Sequence, residues 1–143
     1  MNPKIEITVD VIVHATEDIT KFFDTFEELF QIKQEDFNIQ NLKGHYDNPI
    51  TMLQAKLAKN NAKNFLNKLI SDLPKSRRLE LIETIEERIH NSAFHLRLDK
   101  QKLATGKLDL GEKDSVKVKL YTPIYNKKNS VKIYSELLSN HLD

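Results

Sequence analysis

The sequence predicts an α+β domain in which a single mixed or antiparallel sheet carries its helices on one face. Two observations support this fold class. Segments of alternating apolar residues are separated by segments with helical spacing, in the order strand–helix–strand–strand–helix–helix–strand–turn–strand–helix. No repeat, low-complexity stretch or linker interrupts the 143 residues, a length typical of one domain. We therefore expect a single domain over residues 1–143, with polar strand residues on an open sheet face.

The first strand is the clearest element. Residues 4–14 place apolar side chains at every second position, the pattern of a half-buried strand. Thr16 is the predicted N-cap of the next helix, and Glu17 and Asp18 suit the positive end of its dipole. Four phenylalanines then recur at helical spacing, which predicts burial in the core rather than stacking on bases.

Two strands joined by a loop are predicted next, the first beginning at Phe37 and the second resuming at Thr51. The loop covers residues 44–49. A tight two-residue turn is disfavoured, because Pro49 pushes Asn48 toward extended backbone angles. We expect a longer loop in which Gly44 supplies a positive φ.

The remaining elements follow from the same periodicities. Helices are predicted at residues 60–73 and 76–90, and strands at residues 94–98 and 116–120. Asp99 is the expected cap of a short helical turn that stops at Gly106, a usual position for a terminating glycine. A weaker helix at residues 131–138 closes the chain.

Composition excludes several classes of protein. The chain has no cysteine, so disulfides and thiolate metal sites are absent. Its longest apolar run, Val11-Ile12-Val13, is far shorter than the roughly 18 residues of a membrane helix. We expect a cytoplasmic protein without membrane association. The net charge is only +1, divided as −3 over residues 1–74 and +4 over residues 75–143, which permits nucleic-acid binding without requiring it.

No metal or cofactor is expected. The five histidines show no helical i, i+4 pair with an intervening glutamate; they are His14, His45, His90, His95 and His141. With three glycines in the chain, there is no glycine-rich phosphate loop and no nucleophile elbow.

One strand face leaves a catalytic alternative open. Glu6, Asp10 and His14 share that face. A metal-independent hydrolase using Asp10 and His14 is therefore an alternative. The favoured interpretation is a charge ladder with basic side chains of other strands, namely Arg97, Lys117 and Lys119.

Two further segments have the composition of an RNA contact. The loop holds Lys43, Gly44, His45, Tyr46 and Asn48, which combine a cation, two flat rings and an amide suited to phosphate and to an unpaired base. The second segment supplies a cationic strand end and turn that suit a nucleic-acid backbone; its residues are Arg97, Lys100, Gln101, Lys102 and Lys107.

Three strings resemble a small archaeal family described as predicted RNA-binding proteins or exosome subunits. They are Gly-His-Tyr-x-Asn-Pro-Ile at residues 44–50, Leu-Arg-Leu-Asp-Lys-Gln at residues 96–101 and His-Ala-Thr-Glu-Asp at residues 14–18. The resemblance implies a fold like that of the 5S rRNA-binding large-subunit ribosomal protein. It also implies RNA as partner, with exosome or ribosome-related proteins beside it. Asp47 departs from the glycine that the resemblance leads us to expect.

The leading hypothesis is a non-catalytic protein that binds single-stranded or structured RNA in RNA processing, decay or ribosome-related metabolism. Because Glu6 and Asp10 would repel phosphate from the open sheet face, we expect contact through the loop and the strand-end turn. The second hypothesis is a protein-interaction module or homodimer that docks a partner through its sheet face or an edge strand.

Overall fold

The structure is a computed structural model that describes residues 4–124 and 126–139, apart from the side chains of His45 and Lys127. These residues form five α-helices and one six-stranded sheet, whose spatial order is β2-β3-β1-β6-β5-β4 with all pairs antiparallel. This confirms the predicted fold class. The elements are β1 (Glu6–His14), α1 (Ile19–Phe30), β2 (Phe37–Lys43), β3 (Pro49–Ala58), α2 (Lys59–Asp72), α3 (Lys75–Glu83), β4 (Ile89–His90), β5 (Ala93–Asp99), α4 (Lys100–Ala104), β6 (Ser115–Tyr121) and α5 (Ser130–Ser139).

The sheet has one buried face and one open face. The odd-numbered residues of β1 are almost completely buried, with Val9 and Val11 at 0% exposure. The helices cover this face, and the rings of Phe30 in α1 and Phe65 in α2 lie 4.2 Å apart between their centroids. The even-numbered residues of β1 point to the open face, as the alternation predicts. None of the helices in the described ranges has the length and hydropathy of a membrane span.

Helix α1 begins two residues later than predicted. Asp18, not Thr16, is the N-cap, and its carboxylate accepts a hydrogen bond from the backbone N–H of Thr20 at 3.0 Å. The assignment of Thr16 as the N-cap is therefore wrong. Threonine and aspartate are both good N-caps, so residue type does not distinguish the two positions. The phenylalanines of α1 are buried as expected; they are Phe22, Phe23, Phe26 and Phe30.

The loop between β2 and β3 is long, as predicted, but the role assigned to Gly44 is wrong. The positive φ angles belong to Tyr46 at 58° and Asp47 at 60°. Glycine suits position 44 for a different reason: a Cβ there would lie 3.2 Å from Cγ2 of Ile50, a tight contact. The N–H of Gly44 donates to the carbonyl of Asn48 at 2.7 Å and closes the loop. Asp47 thus adopts the left-handed conformation that a glycine would adopt without strain.

Helix α3 is shorter than the predicted helix at residues 76–90. It ends at Glu83, and the hydroxyl of Thr84 donates to the carbonyl of Glu80 at 2.7 Å. A 3₁₀ turn and strand β4 replace the rest of the helix. Strands β4 and β5 join through Asn91 and Ser92, both with positive φ, the conformation of a two-residue hairpin turn. The apolar residues before this turn are four apart and so also fit a helix, which explains the error.

Helix α4 confirms both of its predicted ends. The carboxylate of Asp99 accepts a hydrogen bond from the backbone N–H of Lys102 at 3.0 Å and caps the first turn. Gly106 has a φ of 85° and follows the helix, as expected of a terminating glycine.

Candidate nucleic-acid interface

Three separate segments meet at one end of the sheet, which we name the loop end. His14 closes β1 and lies opposite Ile50 of β3, next to the β2–β3 loop. Asp99 closes β5 and lies opposite Ser115 at the start of β6. The three strings at residues 14–18, 44–50 and 96–101 are therefore neighbours in the fold, although they are far apart in sequence.

A buried lysine joins two of these strings. Lys100 is 1% exposed, and its ammonium donates to the carbonyl of Ile12, to Oε1 of Glu17 and to Oδ1 of Asp114, each at 2.8 Å. Glu17 also accepts a hydrogen bond from the backbone N–H of His14 at 2.9 Å. This Lys100 network ties the end of β1 to α4 and to the start of β6.

Ionised carboxylates are favoured within the network. Burial raises the pKa of Glu17, but hydrogen bonds from Lys100 and the backbone N–H of His14 outweigh burial and hold the pKa below its usual value. Burial likewise raises the pKa of Asp114, and hydrogen bonds with Lys100 and His14 reverse the effect. The two carboxylates are therefore ionised at neutral pH.

The network changes the roles assigned to two predicted RNA-binding residues. The ammonium of Lys100 is enclosed and makes three hydrogen bonds, so it cannot reach a phosphate in this conformation. Gln101 donates from Nε2 to Oε2 of Glu17 at 3.0 Å, which extends the network. The prediction that Lys100 holds an RNA backbone is therefore wrong, because the sequence does not show which carboxylates surround it.

The same place is the one group of potential metal ligands found in the described ranges. His14, Glu17 and Asp114 bring one ligand atom each within 4.8 Å of the others. The ammonium of Lys100 lies 2.8 Å from both carboxylates and supplies the positive charge that such a group requires. This arrangement disfavours a second cation among the same oxygens.

The β2–β3 loop presents polar groups to solvent. Tyr46 is 94% exposed, and Lys43 and Asn48 are also exposed. The side chain of His45 lies outside the described part of the structure. We call Lys43, Tyr46 and Asn48 the loop tip. It lies where β2 ends and β3 begins, on the side of β1 opposite to the basic strands β5 and β6.

The open face carries polar residues in rows across the strands. Asp10 of β1 lies opposite Lys117 of β6, and Lys117 lies opposite Arg97 of β5. Asp10 thus has as its cross-strand neighbour one of the basic residues that the predicted charge ladder names. Oδ1 of Asp10 also accepts a hydrogen bond from Nε2 of Gln54 at 2.7 Å. Glu6 lies opposite Tyr121, so the ladder does not extend to it.

A broad cleft extends over β5 and β6 on this face, and we name it the basic cleft. Its floor includes Arg97, Lys117 and Lys119 of the strands, and its rim is formed by the α3 region and the segment before β6. The charged side chains and histidines that line it are Asp10, Arg77, Glu80, Glu87, Arg88, His90, His95, Arg97, Glu112, Lys113, Lys117 and Lys119. Basic side chains outnumber carboxylates by six to four, so the cleft has a surplus of positive charge.

One predicted residue, Lys102, is linked to the rim of the basic cleft through a shared carboxylate. Lys102 donates from Nζ to Oδ2 of Asp109 at 2.6 Å, and Arg77 donates from Nε to Oδ1 of the same carboxylate at 3.0 Å. The hydrogen bond from Lys102 is the main reason that the pKa of Asp109 is lowered. One carboxylate therefore faces two cations. Lys107 is exposed, and its N–H donates to the carbonyl of Lys102 at 3.0 Å.

The hairpin of β4 and β5 brings two histidines together, although the sequence assigned them to separate elements. The rings of His90 and His95 lie 5.6 Å apart between their centroids. Burial lowers the pKa of His95 below its usual value. His95 is therefore less protonated at neutral pH than an exposed histidine, and it adds little charge to the basic cleft.

The catalytic alternative lacks a shared site. Asp10 lines the basic cleft, but His14 does not, and Nε2 of His14 lies 3.2 Å from Oδ1 of Asp114. Neither the basic cleft nor the groove beside the start of β2 encloses Asp10 and His14 together. The geometry that general acid–base catalysis requires is not assembled from these two side chains.

Sequence reasoning missed part of the basic cleft. Arg77 and Arg88 belong to a region predicted as one continuous helix, where basic residues suggest only a solvated surface. The sequence-based prediction assigns Lys117 and Lys119 only to the charge ladder. The usable signal was their alternation on a strand beside Arg97, which places all three on one sheet face.

Comparison with known proteins adds a family and a set of similar folds. A family model described as RNA binding matches residues 6–122. No curated protein matches the sequence.

Three solved archaeal structures, each assigned to the family DUF54, are similar over nearly their whole length. A protein of Archaeoglobus fulgidus is 30% identical, with a TM-score of 0.79 over 94% of this chain and 99% of its own. A protein of Sulfolobus solfataricus is 25% identical, with a TM-score of 0.74 over 94% and 98%. A protein of Methanothermobacter thermautotrophicus is 24% identical, with a TM-score of 0.76 over 96% and 100%.

Proposed function

The chain belongs to the protein family whose model is described as RNA binding, and from this membership we propose that it is a non-catalytic RNA-binding protein that holds RNA in the basic cleft. The observation that carries the proposal is the surplus of cations on a concave, open sheet face. Phosphate groups supply most of the affinity of such surfaces, and they require clustered Lys and Arg side chains rather than a deep pocket.

The cleft's floor is the proposed centre of phosphate contact. Lys117 and Lys119 are exposed and project from the same face of β6, and Arg97 is exposed on the neighbouring strand. Arg97 also donates to the carbonyl of Glu112 at 3.2 Å, which holds its guanidinium over the sheet. Lys102 and Lys107 extend the cationic surface toward the loop end.

The acidic residues of the open face are a smaller obstacle than the sequence suggested. The carboxylate of Asp10 accepts a hydrogen bond from Gln54 and lies opposite Lys117, so its charge is partly offset. Glu6 lies on the far row, opposite Tyr121, away from the loop end. The expectation that the sheet face repels RNA is replaced by a proposal in which phosphates follow β5 and β6.

The loop tip is proposed as a second contact, for an unpaired base. Neighbouring strands are about 4.8 Å apart, so β3 and β6, on either side of β1, are separated by about 10 Å. An RNA that occupies the basic cleft and touches the loop tip must therefore cross the end of β1. Single-stranded or looped RNA can do this more easily than a rigid duplex, because its bases are not committed to pairing.

Salt dependence tests the proposed phosphate contacts. If three or four cations neutralise phosphates on single-stranded RNA, the log–log slope of affinity against salt should be about −2 to −3. Fluorescence anisotropy of a labelled RNA over increasing salt measures this slope, with a duplex of equal length as comparison. Affinity that does not change between low and physiological salt would exclude phosphate binding in the cleft.

Replacing Tyr46 tests the loop tip separately. Tyr46→Ala should weaken RNA binding by about tenfold or more, because one lost base stack costs about 1–3 kcal/mol. The free energy of unfolding should change by less than about 1 kcal/mol, since the side chain is 94% exposed. Tyr46→Phe keeps the ring and is the matched control. Unchanged affinity in folded Tyr46→Ala, or a large drop in its unfolding midpoint, would contradict the stacking role.

The cellular role is proposed on the resemblance described above. It suggests RNA processing or decay, with exosome or ribosome-related proteins as partners in the cytoplasm, and a fold related to that of the 5S rRNA-binding ribosomal protein. Crosslinking followed by sequencing of the RNA bound in the native cell tests this role. Recovery of no RNA would favour the protein-interaction hypothesis, for which the free edge of β2 is the relevant feature.

A further inference from the structure

Strand β2 is an unprotected edge of the sheet. It stands last in the strand order, and within residues 4–124 and 126–139 no strand lies beyond it. The opposite edge is different: β4 covers the start of β5, and Leu110 bridges to Leu98 near its end. An edge strand exposes a row of backbone N–H and C=O groups that can pair with another strand.

The side chains of β2 do not oppose such pairing. From Phe37 to Leu42 the strand has no charged residue and no proline, the features by which edges are usually protected. Ile39 is 39% exposed and Leu42 is 44% exposed. Two of the five exposed large apolar side chains identified in the described ranges therefore lie on this single strand, with Tyr46 on its loop.

We propose that β2 pairs antiparallel with β2 of a second copy of this chain, with Ile39 at the twofold axis. In this register Ile39 lies against its own copy, and Phe37 lies opposite Asn41. A twofold contact is self-complementary, so each favourable pair occurs twice. The two sheets then join into one, and their open faces form a continuous surface.

Charge supports a second copy as the occupant. Lys43 ends β2, and the groove beside the start of β2 is lined by Glu27 and Glu35 with a single cation, Lys33. Antiparallel pairing about Ile39 brings Lys43 of one copy toward Glu35 of the other, at both ends of the interface. A strand of unrelated sequence would have no reason to match this pattern.

Charge reversal and mixing test the arrangement on nuclease-treated protein. Sedimentation equilibrium should give twice the chain mass of 16.7 kDa for the native chain. Lys43→Glu alone and Glu27→Lys with Glu35→Lys should each weaken self-association by about tenfold, because like charges then face each other twice. An equimolar mixture of the two variants should restore the dimer, since one end of the mixed dimer pairs the two substituted positions with reversed polarity and the other end keeps the native pair of Lys43 and Glu35.

Ile39→Lys provides a second test, because it places two cations at the axis and should abolish the dimer. An unchanged unfolding midpoint would show that this variant is folded. A native chain that remains monomeric up to millimolar concentration would overturn the proposal. So would a dimer that ignores these substitutions, or single variants whose mixture stays monomeric. RNA binding is not a readout in these experiments, so their failure is separate from failure of the proposed function.

Discussion

Lys100→Met should lower the free energy of unfolding by about 3 kcal/mol, the lower end of the range for breaking a buried ion pair. The ammonium is 1% exposed and bonds two carboxylates and a carbonyl, so its removal leaves those oxygens without their donor. The side chain of Glu17 is 15% exposed, whereas that of Asp114 is 50% exposed and can regain water. The expected drop in thermal midpoint is about 10 °C.

Lys102→Met is the matched control for this prediction. Lys102 is two residues away and also pairs with a carboxylate, but its side chain is 52% exposed. An exposed pair contributes roughly 0–1 kcal/mol, so the midpoint should hardly change. Glu17→Gln should cost less in the Lys100→Met background than in the native chain, because the two residues act on the same contact. Equal midpoints for Lys100→Met and the native chain would mean that the network does not stabilise the fold.

Reversing charge in the basic cleft should have the largest effect on RNA affinity. Lys117→Glu combined with Lys119→Glu should weaken binding by about 10–100-fold at low salt and reduce the magnitude of the salt slope by about 1.4, the value for two phosphates on a single strand. Both side chains are exposed on the open face, so the substitution changes the cleft's charge without opening the core. RNA anisotropy measures both quantities.

Lys128→Glu with Lys132→Glu is the control, because it changes net charge equally. Both lysines are exposed, and Lys132 lies on α5, whose Tyr134 packs against Phe94 on the buried face of the sheet. This variant should retain most of the affinity. A glutamate at position 117 would face Asp10 across the strands. The neutral variant Lys117→Gln with Lys119→Gln avoids this repulsion, so it separates a loss of RNA contacts from a loss caused by misfolding. Equal losses of RNA affinity in the cleft and control variants would show that net charge alone explains the effect.

The strands were predictable because alternation is a local property. The alternating residues of β1 are buried on one face as their spacing indicates, and β6 follows the same rule. Helix ends were less predictable. Thr16 and Asp18 are both acceptable caps, so residue type alone does not show that the helix begins at the later one, where Asp18 accepts from the N–H of Thr20.

The Lys100 network could not be predicted from local pattern. A lysine among other basic residues is normally solvated, and the sequence around Lys100 gives no sign of burial. Its partners lie 83 residues before it and 14 residues after it in the chain. They are brought together by strand order, which periodicity does not encode. The basic cleft was missed for the same reason, because its rim comes from the α3 region and its floor from β5 and β6.

The position of β1 in the sheet has a consequence for synthesis of the protein. β1 is made first but needs β6, so that His14 meets a residue 100 positions later in the chain. A nascent chain therefore exposes one edge of its central strand until β6 has left the ribosome. Such a high contact order slows folding, because loop closure precedes most of the stabilising contacts. β1 is thus complete as a central strand only after both β3 and β6 have been made.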